Sequence, residues 1–139
     1  MDVKMDAKAL NAFLAEDFSQ VAPEFSVTRI TDHGLVVRLA VGDRHLRPGG
    51  TVSGPTMFAL ADLAIYCAIL SRIGKVALAV TTNASMDFMR KPEAGRDLRA
   101  ECRLLKLGRN LAVADALIFS EGAEPPVARA AMTYAIPPR

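Results

Sequence analysis

The longest apolar stretch of the chain runs from Gly54 to Leu70 and carries a single charge, Asp62. A segment that is hydrophobic all round belongs in a protein interior. Pro55 suits a first helical turn and Gly74 a helix stop, so the pattern predicts one long buried helix over about 54–72. Ahead of it, Leu10, Phe13, Leu14 and Phe18 recur at helical spacing and predict a short amphipathic helix over about 6–18, ended by Pro23. Two strand-like runs follow, about 26–31 and 35–41, divided by the turn signal Asp32-His33-Gly34. In the second run Leu35, Val37 and Leu39 alternate with Val36, Arg38 and Ala40. Residues 42–54 read as loop.

Beyond the long helix the pattern is β throughout. Val76–Met89 is a long β-rich run, and Pro92–Gly95 is a turn. Leu98, Ala100, Cys102 and Leu104 then alternate with Arg99, Glu101 and Arg103, the clearest period of two in the chain. Gly108-Arg109-Asn110 predicts a hairpin turn, 111–119 a strand, 121–126 a loop and 127–136 the last strand. A helix, two strands, a long buried helix and four further β-stretches predict an α+β domain whose antiparallel sheet wraps the central helix. A chain of 139 residues is one such domain. Its N-terminal helix and linker lie in 1–25 and its core in 26–136.

Composition narrows the function classes. The net charge of +2 makes no general case for nucleic acid, although Arg and Lys concentrate between Arg90 and Arg109. A hydrophobic content of 51% is high for a small monomer and points to apolar surface buried between subunits. The apolar helical run is at the lower edge for a membrane span and has a carboxylate at its centre, so a core helix is the better reading. The charged start Met1-Asp2-Val3-Lys4-Met5-Asp6 lacks the apolar region of a signal peptide, and a cytoplasmic location is expected. Cys67 and Cys102 sit in apolar patterns and read as small buried hydrophobes. His33 and His45 form no ligand pair with a nearby Cys, Asp or Glu, so a metal site is not expected.

Asp62 is the first place to look for chemistry. A buried carboxylate is costly without a partner or a ligand, so this one is paired to a nearby donor, faces solvent through a gap, or acts on a substrate. The helix N-terminus at Gly54 offers free backbone N–H groups that favour negative charge. Eight residues of helix span about 12 Å, so Gly54 and Asp62 of one helix cannot meet on one reacting group. If both act, they come from two subunits.

The segment Ser53-Gly54-Pro55-Thr56-Met57-Phe58-Ala59-Leu60-Ala61-Asp62-Leu63-Ala64 resembles the His-Gly-Gly…Leu-Ala-Asp-x-Ala signature of hotdog-fold acyl-CoA thioesterases, in the phenylacetate-pathway-type branch. Met86-Asp87-Phe88-Met89-Arg90-Lys91-Pro92 with Gly95 resembles that family's Phe-Leu-Arg-Pro…Gly segment. Leu105-Lys106-Leu107-Gly108-Arg109 is similar to its Gly-Arg/Lys hairpin. The resemblance covers roughly 30–136. It implies a hotdog fold and hydrolysis of an acyl-CoA to free acid and CoA, with no cofactor. Because Gly54 and Asp62 cannot meet within one helix, at least a homodimer with sites at the subunit interface is expected, or a homotetramer. Asp62 takes the role of nucleophile or general base, the Gly54 amide polarises the thioester carbonyl, and Thr81 helps to hold the catalytic water.

Two positions depart from the family pattern. Ser53 stands where the family has His, and Arg47 where it has Asn. Ser53 either donates a hydrogen bond in the site or caps the helix. Arg47 either holds Asp62 ionised or contacts substrate. Further substrate contacts are expected from Pro55, Met57 and Phe58, and phosphate contacts from Arg90, Lys91 and Arg109, with Arg103 and Lys106 as weaker candidates. Met57, Phe58, Met86 and Phe88 read either as an apolar pocket or as core. Gly49-Gly50 lacks the Lys-Ser/Thr of a phosphate loop. The competing function is a non-hydrolytic binder of acyl-CoA or an aromatic ligand on the same fold.

Overall fold

The structure, a computed structural model, describes residues 2–138. Helix α1, Ala7–Asp17, begins where the Asp6 side chain accepts the Ala9 N–H at 2.9 Å. Its apolar face buries Leu10, Phe13 and Leu14. Strands β1 (Phe25–Ile30) and β2 (Gly34–Leu39) form a hairpin. The Asn11 side chain docks α1 onto β1, accepting the Val27 N–H at 2.8 Å and donating to the Val27 carbonyl at 3.0 Å. Helix α2, Gly54–Ile73, is followed by β3 (Val80–Phe88), β4 (Leu98–Leu107), β5 (Leu111–Ser120) and β6 (Ala128–Ala135).

The six strands make one antiparallel sheet in the order β1-β2-β4-β5-β6-β3. Its concave face holds α2. Leu60, Ala61, Ala64, Ile65, Cys67, Ala68, Ile69 and Leu70 are fully buried, so the run that could pass for a membrane span is the core helix of the domain. The inward register of the sheet is rich in alanine: Ala100, Ala112, Ala114, Ala116, Ala128 and Ala130 are all buried. Small side chains on the sheet leave room for the large ones of the helix, which is how an interior reaches close packing.

Gly34 is required by contact rather than by backbone freedom. A Cβ there would lie 1.9 Å from the Cys102 carbonyl oxygen, at the point where β2 pairs with β4. The β-rich run from Val76 is a strand only from Val80 onward. Its first residues form a turn, with the Ala79 N–H donating to the Val76 carbonyl and the Tyr66 hydroxyl to the Ala77 carbonyl.

β3 differs from the other strands. It lies at the end of the sheet, paired on one side by β6, and it is open on both faces. Val80 and Phe88 are each 54% exposed at its two ends. An exposed edge of this length, with apolar side chains at both ends, is open to pairing with another strand.

Candidate active site at Asp62

Asp62 projects from the middle of α2 toward the end of the sheet where β6 and β3 lie side by side. Thr81 on β3 and Tyr134 on β6 are cross-strand partners, so the sheet register itself sets their hydroxyls next to each other. Both donate to one carboxylate oxygen, Oδ1, at 2.6 Å. The Tyr134 hydroxyl also lies 3.1 Å from the main-chain carbonyl of Asp62, which ties the helix as well as its side chain to β6. Among the described residues Oδ2 receives no hydrogen bond. The carboxylate is therefore oriented through one oxygen, and the other is unengaged among the described residues. Burial, and then the bond to Asp62, push the Tyr134 phenol above its ordinary range, so it stays a proton donor.

The carboxylate borders a cavity of about 520 Å³ whose wall is largely aromatic and aliphatic: Phe18, Phe25, Leu63, Tyr66 and Tyr134. Phe18 meets Tyr66 edge-on at 5.7 Å between centroids. Tyr66 spends its hydroxyl on the Ala77 carbonyl at 3.0 Å, and burial raises its phenol to about 12. Among the described residues no cation lines this cavity.

A second cavity, of about 500 Å³, lies at the N-terminus of α2 and collects Arg47, Gly54, Met57, Phe88, Arg90 and Lys91. No Asp or Glu lines it, and among the described residues none of its three cations is in an ion pair. Arg90 additionally donates to the Pro126 carbonyl. The first turn of α2 has largely spent its N–H groups. Ser53 accepts the Thr56 N–H at 3.3 Å, Met57 donates to the Ser53 carbonyl and Pro55 has no N–H. That leaves the Gly54 N–H, which has no partner among the described residues and borders the cationic cavity.

The structure thus brings Asp62 and Thr81 together, and separately Gly54, Arg47, Met57, Arg90 and Lys91. Within one chain Arg47 is not the partner of Asp62; two hydroxyls are. Ser53 is the N-cap of α2, and its hydroxyl lies 2.9 Å from that of Thr56. Pro55 and Phe58 are exposed and border neither cavity, and Met86 is half-buried on β3. Arg109 lies in another hollow with Lys4, Arg72 and Ile73, at the opposite end of α2. Arg103 pairs with Asp115 at 2.9 Å. Lys106 lies in a shallow hollow with Asp32, His33 and Arg72. Cys67 and Cys102 are buried free thiols whose burial raises their pKa.

Tyr134 is the residue that sequence reasoning missed. The signal was present in the alternation of β6, where Ala128, Ala130, Met132 and Tyr134 fall on the buried side. A tyrosine in a buried register needs a partner for its hydroxyl.

The thioesterase superfamily's sequence model matches residues 49–126, more than half of the chain. A provisionally named esterase of Pseudomonas aeruginosa is 33% identical over 87 residues, which span 62% of this chain and 64% of that protein. A crystal structure of a provisionally named thioesterase from Silicibacter is 59% identical, with a TM-score of 0.93 over 99% of this chain and 96% of that one. A mutant of the phenylacetic acid degradation protein of Thermus thermophilus is 27% identical, with a TM-score of 0.72 over 88% and 99% of the two chains. With one long helix inside a six-stranded antiparallel sheet, the fold is the hotdog, and the chain belongs to the thioesterase superfamily.

Proposed function

We propose that the protein hydrolyses an acyl-CoA thioester to a free acid and CoA, in a site completed by two copies of the chain. The observation that carries this reading is the Asp62 carboxylate, held through Oδ1 by Thr81 and Tyr134 at the mouth of an apolar cavity, with Oδ2 unengaged.

The open edge of β3 supports the two-copy site. β3 spans Val80–Phe88, so a twofold antiparallel pairing centred on its midpoint, Ala84, sets the Thr81 end of one strand beside the Phe88 end of the other. Thr81 holds Asp62, while the Phe88 ring lies 3.4 Å from where a Cβ on Gly54 would be. Such a pairing brings the carboxylate of one subunit to the unspent amide of the other. It also covers the exposed Val80 and Phe88.

In this arrangement the acyl group enters the apolar cavity, and Arg47, Arg90 and Lys91 attract the CoA phosphates. The Gly54 N–H, at the positive end of α2, stabilises the oxyanion that develops on the thioester carbonyl. Asp62 takes a proton from water as the water oxygen adds to the carbonyl carbon, or its own oxygen adds to that carbon. The C–S bond then breaks and the thiolate of CoA takes a proton. In the second route water afterwards opens the resulting acyl–Asp62 anhydride to the free acid, regenerating the carboxylate.

The competing reading, a binder that does not hydrolyse, draws on Ser53: its hydroxyl oxygen accepts the Thr56 N–H and lies 2.9 Å from the Thr56 hydroxyl, so its contacts serve the helix cap. Release of free thiol, followed with a trapping reagent across aliphatic and aromatic acyl-CoAs, separates the two. Hydrolysis that falls by roughly 10² or more in Asp62→Asn, with the fold intact, supports the enzyme. Binding of acyl-CoA without thiol release supports the binder.

A further inference from the structure

His45 is the one buried histidine in the chain, and the chemistry above makes no use of it. It sits in the short turn Asp43–His45, and both ring nitrogens are engaged. The Gly42 N–H donates to Nδ1 at 2.8 Å, which fixes Nδ1 as the acceptor. Nε2 is then the protonated nitrogen, and it donates to Glu24 Oε2 at 2.9 Å. Glu24 belongs to the turn after α1, and its other oxygen pairs with Arg44.

The same residue is the base of the loop that carries half of the candidate site. The His45 carbonyl accepts the Ser53 N–H at 2.9 Å, Leu46 bridges Val52, and the Arg47 N–H donates to the Thr51 carbonyl at 2.9 Å. One limb of this small hairpin carries Arg47. The other ends in Ser53, the cap of α2, and Gly54, the residue with the unspent amide. A shift of the His45 ring is therefore a shift of the loop base from which Arg47 and Gly54 are held.

We infer that His45 is a positioning residue: in its neutral form it clamps the Leu46–Val52 hairpin to Glu24 and so sets the Gly54 amide and Arg47, and its protonation releases them. The inference rests on the thioesterase reading for what Gly54 does, and on the hydrogen bonds alone for the clamp.

Protonation breaks the clamp because a cationic ring has two N–H groups, and Nδ1 faces an N–H rather than a lone pair. The charged groups around the ring are Glu24, Arg44 and, beyond Val41, the Asp97–Arg38 pair, in which Asp97 also accepts the Val41 N–H. Glu24 by itself would favour a charged ring. Burial, and then Arg44, act the other way and hold the ring below the usual imidazole range.

The test uses the full chain and three variants: His45→Asn keeps an acceptor for the Gly42 N–H, His45→Gln keeps a donor for Glu24, and His45→Ala keeps neither. Thioester hydrolysis is followed from about pH 8 to about pH 5, and the Ser53 and Gly54 amide resonances are followed over the same range. In the wild type, the rate should fall and both amides should shift as the His45 ring gains its proton. In His45→Ala, kcat should drop about tenfold or more with the fold retained, as expected for a reacting group displaced by a fraction of an ångström. His45→Asn or His45→Gln should restore part of that rate and lose the pH step. A His45→Ala enzyme with wild-type kcat and an unchanged acid limb would overturn the clamp. If no acyl-CoA is hydrolysed by the wild type, the thioesterase reading fails and the amides decide alone. Ser53 and Gly54 amides that ignore the His45 titration overturn the inference, and amides that follow it support the clamp.

Discussion

Removing the Tyr134 hydroxyl is the sharpest test of how Asp62 is held. Tyr134→Phe keeps the ring, which is 3% exposed on the inner face of β6, and deletes only the donor to Oδ1 at 2.6 Å and to the Asp62 carbonyl at 3.1 Å. A hydrogen bond to a charged group is worth about 1.5–3 kcal/mol. The Thr81 hydroxyl remains on the same oxygen, so the carboxylate keeps a partner but loses its second fixed point and can rotate. If the orienting energy appears in the transition state, kcat should fall by roughly 10–150-fold with little change in KM.

Thr81→Val should act in the same direction. Because the two donors hold one oxygen, the double variant should deviate from additivity by about 0.5 kcal/mol or more. The assay is thiol release under saturating acyl-CoA, with thermal unfolding measured alongside to separate lost rate from lost fold. Stability should drop by about 1–3 kcal/mol, since Phe fills the same space but leaves a polar oxygen short of a donor. A folded Tyr134→Phe enzyme with kcat within about threefold of wild type, less than 1 kcal/mol, would remove Tyr134 from the orientation of Asp62.

Three further outcomes follow from other parts of the structure. Ala84 lies at the midpoint of the exposed β3, so in a twofold pairing Ala84→Glu sets like charges against each other. Light scattering should then show a folded monomer that has lost thiol release, and a monomer with wild-type activity would refute the two-copy site. Gly34→Ala drives a Cβ to 1.9 Å from the Cys102 carbonyl oxygen. It should cost about 3 kcal/mol or more by denaturant unfolding, and a near-neutral result would contradict the β2–β4 register. The third concerns acid stability. With the His45 pKa lowered from 6.5 in the fold, the unfolded chain takes up the proton first. Stability should be unaffected by this group above that value and decline as pH falls below it, down to the folded value, where the decline ends. His45→Asn should flatten that slope in thermal unfolding, and an unchanged slope would assign it to other groups.

How much of this was legible in the sequence depended on whether the signal was local. Helix α2 announced itself by a continuous apolar run with Pro55 and Gly74 at its ends, and β4 by strict alternation, since each pattern is written in adjacent residues. The anchoring of Asp62 was not, because Tyr134 lies on the last strand and reaches the helix only once β6 and β3 pair. The wall beside Asp62 is equally non-local: Phe18 and Phe25 reach it from the N-terminal segment, while Met57 and Phe88 border the second cavity. What local reading did anticipate was the conflict in α2 itself: eight residues of helix hold Gly54 and Asp62 too far apart to meet.

Under the proposed two-copy site, that separation accounts for the contrast between its two halves. The half at Asp62 is apolar with a hydroxyl-held carboxylate, and the half at Gly54 is cationic with a free amide. Were both on one face of one helix, Arg47, Arg90 and Lys91 would lie close enough to the carboxylate to pair with it, and neither would be available to a substrate. In the proposed two-copy site, their placement at opposite ends of β3 leaves the cations without carboxylate partners among the described residues, and the carboxylate on neutral donors, until a second strand edge closes the gap. Charge separation within the subunit and an open edge on β3 are then two aspects of the same arrangement. Disrupting the edge should abolish turnover while leaving each half-site folded.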